Sequence, residues 1–293
     1  MAEELFDDEF LKRLEYLAIV SKRIFAGKLK AQTRAKKLGW GQEFADHREY
    51  APGDDLRYLD WNLYGRVGEL VTKLFQEEEN LNVYFLLDLS GSMDFGTPSK
   101  AVFAKRVAAA LSYIALANLD SVSIVPFSSD LGQVMPLIRG KGQILKIFSF
   151  LQDAPVGQKT DLQKAVSSFL RQIKGKGLAV VISDFYDDHG YEQAMKALSL
   201  YGFDMVAIQI HHPSEAEPKY RGAFSFSDAE TSRVHHVNIT GRILKNYLEQ
   251  YRRYNEDLRR FCLGLECTYL YTHTKVPFEE VILETFRYGR FVK

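Results

Sequence analysis

The run Asp88-Leu89-Ser90-Gly91-Ser92 sets one carboxylate and two hydroxyls in a single short turn, directly after the apolar stretch Val83-Tyr84-Phe85-Leu86-Leu87. Oxygen donors of this kind suit the hard cations Mg²⁺, Mn²⁺ and Ca²⁺ rather than Zn²⁺, and Gly91 turns the backbone without a Cβ penalty. Two later residues extend the set. Asp184 follows the apolar run Leu178-Ala179-Val180-Val181-Ile182-Ser183, and Thr160 lies in the polar stretch Gly157-Gln158-Lys159-Thr160-Asp161, just ahead of the helical spacing Leu162, Ala165, Val166, Phe169, Leu170. Hydroxyl ligands are neutral, so a cation held by these residues stays short of negative charge and favours one more carboxylate or phosphate from outside. The plainer alternative is that Asp and Ser populate turns and N-caps without any metal, and that Thr160 caps its helix.

Positioning such a set requires strands that end side by side. A strand apolar on both faces belongs in the middle of a parallel sheet, with its C-terminal end at the crevice where open α/β folds bind ligands. From Leu81 the pattern alternates: helix Lys100 to Leu119, strand Val122 to Phe127, helices Ile144 to Leu151 and Leu162 to Ile173, strand Leu178 to Ser183, helix Tyr191 to Leu200, strand Met205 to Ile210. This predicts an α/β fold, a doubly wound, mostly parallel sheet with helices on both faces. A β-hairpin at about 216–240 interrupts it, carrying Phe224-Ser225-Phe226, Asp228-Ala229-Glu230-Thr231 and Val234-His235-His236-Val237. A long helix follows, with Ile243, Leu244, Tyr247, Leu248, Tyr251, Tyr254, Leu258 and Phe261 expected to face the core. Thr268 to Thr272 reads as a last strand and Phe278 to Phe286 as a closing helix. Ahead of this lie an amphipathic helix with Leu5, Phe6, Phe10, Leu11, Leu14, Leu17 and Ala18 on one face, an irregular region from about Gly39 to Gly68, and a strand from Glu69 to Phe75. The expected division is residues 1–75 as an N-terminal extension and 76–293 as the α/β domain.

Composition narrows the function classes. The chain has 293 residues, 46% of them hydrophobic and 26% charged, with a formal net charge of zero, so no global field favours nucleic acid or an anionic membrane. Lys22, Arg23, Lys28, Lys30, Arg34, Lys36 and Lys37 form a basic arm without intervening acids, a solvated stretch or a contact surface for an acidic partner. The two cysteines, Cys262 and Cys267, read as free thiols in a reducing compartment. With no leader pattern and no apolar run long enough to cross a bilayer, a cytoplasmic location and no transmembrane segment are expected.

A second informative stretch runs from Glu43 to Trp61. Pro52-Gly53-Asp54 is a turn by composition, and Arg48 and Arg57 with Asp46, Asp54, Asp55 and Asp60 are spaced to form a fixed ion-pair network around Trp61, a structural role.

Two resemblances follow from these residues. Asp88, Ser90, Ser92, Thr160 and Asp184, taken in order, resemble the metal-ion-dependent adhesion site (MIDAS) of von Willebrand factor A domains. That resemblance implies metal contact by the three hydroxyls, carboxylates that often act through water, and an open position for a partner's Asp or Glu. The pattern of Arg48, Tyr50, Gly53, Asp54, Asp55, Arg57, Asp60 and Trp61 resembles a hallmark of bacterial proteins grouped as domain of unknown function 58, in which it precedes a von Willebrand A-like domain. Asp228 to Thr231 also looks like that family's hairpin. Many relatives carry N-terminal membrane helices, which are absent here. The resemblance implies a protein-binding adaptor rather than an enzyme, with Mg²⁺ (or Mn²⁺ or Ca²⁺) as cofactor, and as partners a MoxR-type AAA+ ATPase and an unidentified client in assembly or chaperone-like roles. Gly140-Lys141-Gly142 and Gly175-Lys176-Gly177 lack phosphate-loop spacing, so the ATPase would supply the energy. Two alternatives stand beside this reading: a metal-dependent phosphoester hydrolase using Asp94 and His189 of Asp187-Asp188-His189, and a structural protein with an empty site. His211-His212 and His235-His236 are adjacent on strands, point to opposite faces and so do not chelate together.

Overall fold

The computed structural model describes residues 5–7, 9–18, 20, 38–39, 43–76, 81–157, 159–173, 175–227 and 234–288. The basic arm from Lys22 to Lys37, Gln158 and Asp228-Ala229-Glu230-Thr231 lie outside them. The chain forms two compact units, one of Met1–Ile24 with Leu81–Lys293 and one of Phe25–Asn80. The first helix therefore belongs with the C-terminal body, whereas the sequence suggests a single boundary at residue 75.

In the larger unit, residues 9–18 form helix α1, which buries Phe10, Leu14 and Leu17 at helical spacing. Its aromatic end is seated on two later helices, Phe6 stacking on Phe148 and Phe10 meeting Phe278 with centroids 4.8 Å apart. In the smaller unit, β1 (Leu38–Gly39) and β2 (Glu43–Glu49) flank β3 (Val71–Gln76) in an antiparallel sheet, with α2 (Trp61–Val67) between β2 and β3. The region expected to be irregular is thus largely ordered. Its strand Glu43-Phe-Ala-Asp-His-Arg-Glu lacks apolar alternation, so pairing rather than patterning makes it a strand.

The body is a six-stranded sheet. In chain order its elements are β4 (Asn82–Asp88), α3 (Lys100–Ala117), β5 (Ser121–Phe127), β6 (Ile138–Arg139), α4 (Ile144–Asp153), α5 (Leu162–Gln172), β7 (Leu178–Ser183), α6 (Glu192–Tyr201) and β8 (Asp204–His211). There follow α7 (Pro213–Ala216), β9 (Gly222–Ser227), β10 (Val234–Ile239), α8 (Gly241–Gly264), β11 (Thr268–His273) and α9 (Phe278–Tyr288). The strand order is β11-β8-β7-β4-β5-β6, parallel except for the short edge strand β6. Successive strands step one way from β4 to β5 and the other way from β7 through β8 to β11, so the strand order reverses between β4 and β7. Tyr84 and Leu86 pack with Phe169, Met195, Leu198, Leu258 and Cys262 on the α5, α6 and α8 face. The opposite face of β4 carries α3, which in turn packs on α4 and α9. The expected mixed α/β architecture with a central, mostly parallel sheet is present.

The strands on either side of residues 77–80 belong to different sheets, β3 to the small unit and β4 to the body. One detail differs from expectation. The aromatic spacing of α8 is only half buried: Tyr251, Leu258 and Cys262 face the core, while Ile243 and Tyr247 near its start are exposed. β9 and β10 pair as the predicted hairpin, and Cys262 and Cys267 are free and buried.

Phe169, wedged edge-on between Tyr84 and tilted against Phe203, is a central contact of the α5 face. Phe169→Ala is expected to lower the unfolding free energy of the body by about 3–5 kcal/mol, read from urea denaturation followed by circular dichroism.

Candidate metal-binding site

The candidate residues collect at the C-terminal ends of β4 and β7, where the strand order reverses, the place where open α/β sheets bind ligands. Leu87 is paired with Ile182, so Asp88 and Ser183 come next on neighbouring strands. Ser183 Oγ donates to Asp88 Oδ2 at 2.5 Å, and the Ser90 N–H donates to Asp88 Oδ1 at 2.9 Å. Ser90 Oγ and Ser92 Oγ lie 3.1 Å apart. Two neighbouring ligands of an octahedral Mg²⁺, with bonds of about 2.0–2.1 Å, are about 2.9 Å apart, so the hydroxyl pair has the spacing of two adjacent ligand positions.

Thr160 arrives on the loop before α5. That loop is tied to the same sheet edge by Gly157 N–H donating to Leu89 O at 2.6 Å and Asp161 N–H donating to Ser128 O at 2.9 Å. The approach is close enough that a Cβ on Gly157 would meet Ser128 Oγ at 2.5 Å. Thr160 is buried, and Asp161 rather than Thr160 is the N-cap of α5, accepting from Lys164 N–H. Helix capping therefore does not account for the threonine.

Asp184 leaves β7 through a sharp bend. Phe185 has φ +63°, unusual for a bulky residue, and is held there by its N–H donating to Ser183 Oγ and its carbonyl accepting from the Tyr254 hydroxyl. The Asp184 carboxylate accepts from Tyr186 N–H at 3.0 Å and from Lys100 Nζ at 2.7 Å. Lys100 also donates to Glu215 Oε1 at 2.8 Å. Lys100, Ser183 and Glu215 are not evident from the sequence as part of this centre. One signal exists in retrospect: Lys100 is the first residue of α3 after its cap Ser99, where the helix macrodipole disfavours a cation unless an acid compensates.

Asp88 and Asp184 are both 0% exposed. Burial, reinforced by the Asp184 charge and opposed by hydrogen bonds from Ser183 and Ser90, pushes the Asp88 carboxyl up to about 7. Burial also works against charge on Lys100, but the carboxylates of Asp184 and Glu215 outweigh it and raise its pKa. The result is that Asp184 shares an internal ammonium with Glu215, while among the described residues no cation pairs with Asp88. An all-oxygen donor set holding an uncompensated buried carboxylate fits a hard divalent ion.

Near this edge, Asp161, Asp187 and His189 bring ligand atoms within 4.8 Å of one another. Asp187 is already engaged, accepting from Leu162 N–H at 2.7 Å and from His189 N–H at 2.8 Å, so it ties the α5 start to the loop after β7. Asp94 is exposed at the end of the turn after Ser92. His211 is buried and stacked on Tyr271, while His212 caps α7.

Among the described side chains of the smaller unit, which do not include that of Asp46, the hallmark residues make separate local contacts rather than one network around Trp61. Arg48 pairs with Asp54, which also accepts from Ala51 N–H across the turn at Gly53 (φ +109°). Asp55 pairs with Arg57, and Tyr50 N–H donates to Leu70 O. Asp60 caps α2 through Asn62 and Leu63 N–H and meets His47 and Lys73; its His47 and Leu63 hydrogen bonds bring its pKa down to about 2. Trp61 is 61% exposed, touching Tyr64 edge-on. Asp54, Asp55 and Asp60 are engaged by backbone N–H groups and nearby cations.

Two predictions follow from these charges. The folded Asp88 keeps its proton up to about pH 7, whereas an unfolded aspartate loses it near 3.8, so the contribution of Asp88 to stability falls as pH rises across that window. In chelator, Asp88→Asn is therefore expected to melt at a higher temperature than the wild type above pH 7, with the difference vanishing below about pH 4 in pH-dependent calorimetry. In the smaller unit, Asp60→Ala is expected to lower stability through loss of the α2 cap, and Trp61→Ala to stay within about 0.5 kcal/mol, both read by chemical denaturation.

A family model described as a protein of unknown function, DUF58, matches residues 46–257, well over half of the chain. Uncharacterized proteins of Mycobacterium tuberculosis (strain ATCC 25618 / H37Rv) and Mycobacterium bovis are each 24% identical over 266 residues, covering 89% of this chain and 84% of theirs. Among solved structures, an aerotolerance-related membrane protein of Bacteroides fragilis is similar with a TM-score of 0.47 at 18% identity, covering 71% of this chain and 99% of that one. The conserved hypothetical protein BatB of Bacteroides thetaiotaomicron gives 0.45 at 16%, with the same coverages. The family match takes in the Arg48 to Trp61 segment, the Asp88 turn, Lys100, Thr160 and Asp184 together, and on its extent the chain belongs to the DUF58 family.

Proposed function

We propose that the body of this protein is a von Willebrand factor A-like domain, and that Asp88, Ser90, Ser92, Thr160 and Asp184 form a MIDAS-type metal site that binds an acidic group of a protein partner. The observation that supports this most directly is the Ser90 and Ser92 hydroxyl pair, 3.1 Å apart beside the buried Asp88 at the reversal of strand order. When bound, Mg²⁺ would supply a Lewis-acidic centre able to accept a carboxylate. The hydroxyls of Ser90, Ser92 and Thr160 would be its direct ligands. Asp88 would orient Ser90 through the backbone N–H it accepts and contribute its charge, and Asp184, with both oxygens already accepting protein donors, would act through water. The chain would serve as a cytoplasmic adaptor that binds a client and a MoxR-type AAA+ ATPase, a role consistent with its two free thiols. Among the described residues, no helix is long and apolar enough to cross a membrane.

The competing reading, a metal-dependent phosphoester hydrolase, draws on the proximity of Asp161, Asp187 and His189. Turnover of a generic phosphoester with Mg²⁺ or Mn²⁺, lost in His189→Ala, would support it over the adaptor.

With saturating Mg²⁺ at about a hundred times its Kd, the wild type is expected to gain roughly 2.7 kcal/mol of stability, and Ser90→Ala to gain little. Capture of a MoxR-type ATPase from lysate should require Mg²⁺, fail in chelator and fail with folded Ser90→Ala. Equal capture in Mg²⁺ and chelator would contradict the adaptor reading, and absence of any metal stabilisation would support a structural protein without a cation.

A further inference from the structure

The Lys100 ammonium sits inside the centre rather than at its rim. Its side chain is 1% exposed, its Nζ donates to Asp184 and Glu215, and the rings of Tyr186 and Phe95 lie 5.4 and 6.0 Å from it. A buried ammonium at hydrogen-bond distance from a buried carboxylate opposes the potential of that carboxylate, so a cation beyond the carboxylate meets a reduced negative charge. Affinity of a hard-cation site follows the number of charged ligands it offers. Of the two buried aspartates here, Asp184 is the one paired with an ammonium, and the hydroxyls of Ser90, Ser92 and Thr160 add no charge.

We infer that Lys100 is an affinity-determining residue of the metal site: by neutralising Asp184 it keeps the affinity for a divalent ion low, and Glu215 moderates this by drawing the same ammonium away. The inference rests on the metal reading of the site. It assigns a sign to each side chain. Removing the ammonium exposes the full charge of Asp184 and strengthens ion binding, whereas removing the charge of Glu215 leaves the ammonium wholly to Asp184 and weakens it. A merely structural lysine would give loss of folding or no change, never a gain.

The test is isothermal titration of Mn²⁺ alone into the full-length chain, with folding of each variant checked by circular dichroism. Lys100→Met is expected to bind Mn²⁺ at least about tenfold more tightly than the wild type, and Glu215→Gln several-fold more weakly. Ser90→Ala added to Lys100→Met should abolish the gain. A folded Lys100→Met with unchanged or weaker binding overturns the inference while leaving the metal site standing. Should Lys100→Met not fold, Glu215→Gln decides, and equal or tighter binding there overturns it. If no protein in the series, wild type included, binds Mn²⁺, the inference and the metal reading fall together.

Discussion

Two carboxylates taken wholly out of water at the ends of adjacent parallel strands are the constraint on which the rest of this molecule turns. Each buried charge carries a penalty of several kcal/mol, and side by side they repel. The protein answers the two differently. Asp184 is met by an ammonium and a backbone N–H, while Asp88 is met by hydrogen bonds from Ser183 and Ser90 and, among the described residues, by no cation. The asymmetry leaves one deficit of positive charge at one place, next to a pair of serine hydroxyls. The surrounding fold maintains it: β4 and β7 fix the separation of the aspartates, the strained Phe185 turns Asp184 towards α3, and the first residue of α3 supplies the counter-charge.

The two units show how context sets the worth of the same residue types. In the smaller unit, Arg48–Asp54 and Arg57–Asp55 are solvent-exposed pairs that add little stability, and their acids act chiefly as acceptors for backbone N–H groups at a turn and a short helical turn. Their effect is to shape a surface that carries an exposed indole. In the body, the Lys100–Asp184 pair is removed from water, so loss of Lys100 leaves the buried Asp184 carboxylate without its counter-charge, whereas Glu215 still meets the ammonium when Asp184 is lost. Electrostatics there governs what the site can hold.

Much of this was legible in the residues. Runs such as Leu178 to Ser183, apolar on both faces, located the central strands, and the helical spacing of Leu162, Ala165, Val166 and Phe169 located α5, because burial on two sides and on one stripe leave distinct periods. The chain positions of Asp88 and Asp184 at strand ends followed from the same runs. What was not legible depended on pairing over long separations. Lys100 reads as an ordinary helix-start residue until β7 and α7 bring Asp184 and Glu215 to it. β2 carries no apolar alternation, so its place beside β3 could not be read from pattern alone. The spacing of Arg and Asp around Trp61 suggested a closed network because sequence proximity does not specify which acid is spent on a backbone N–H. The first turns of α8 looked core-facing because aromatic spacing records a stripe without recording how far the core extends.

The claim that the Asp88 turn awaits a divalent ion is tested most directly by anomalous diffraction from a crystal of the protein grown with Mn²⁺ near neutral pH. The account predicts a single anomalous peak within bonding distance of both Ser90 Oγ and Ser92 Oγ, on the side facing Thr160. A peak instead among Asp161, Asp187 and His189, or none at the Asp88 turn in a well-ordered crystal, would contradict it.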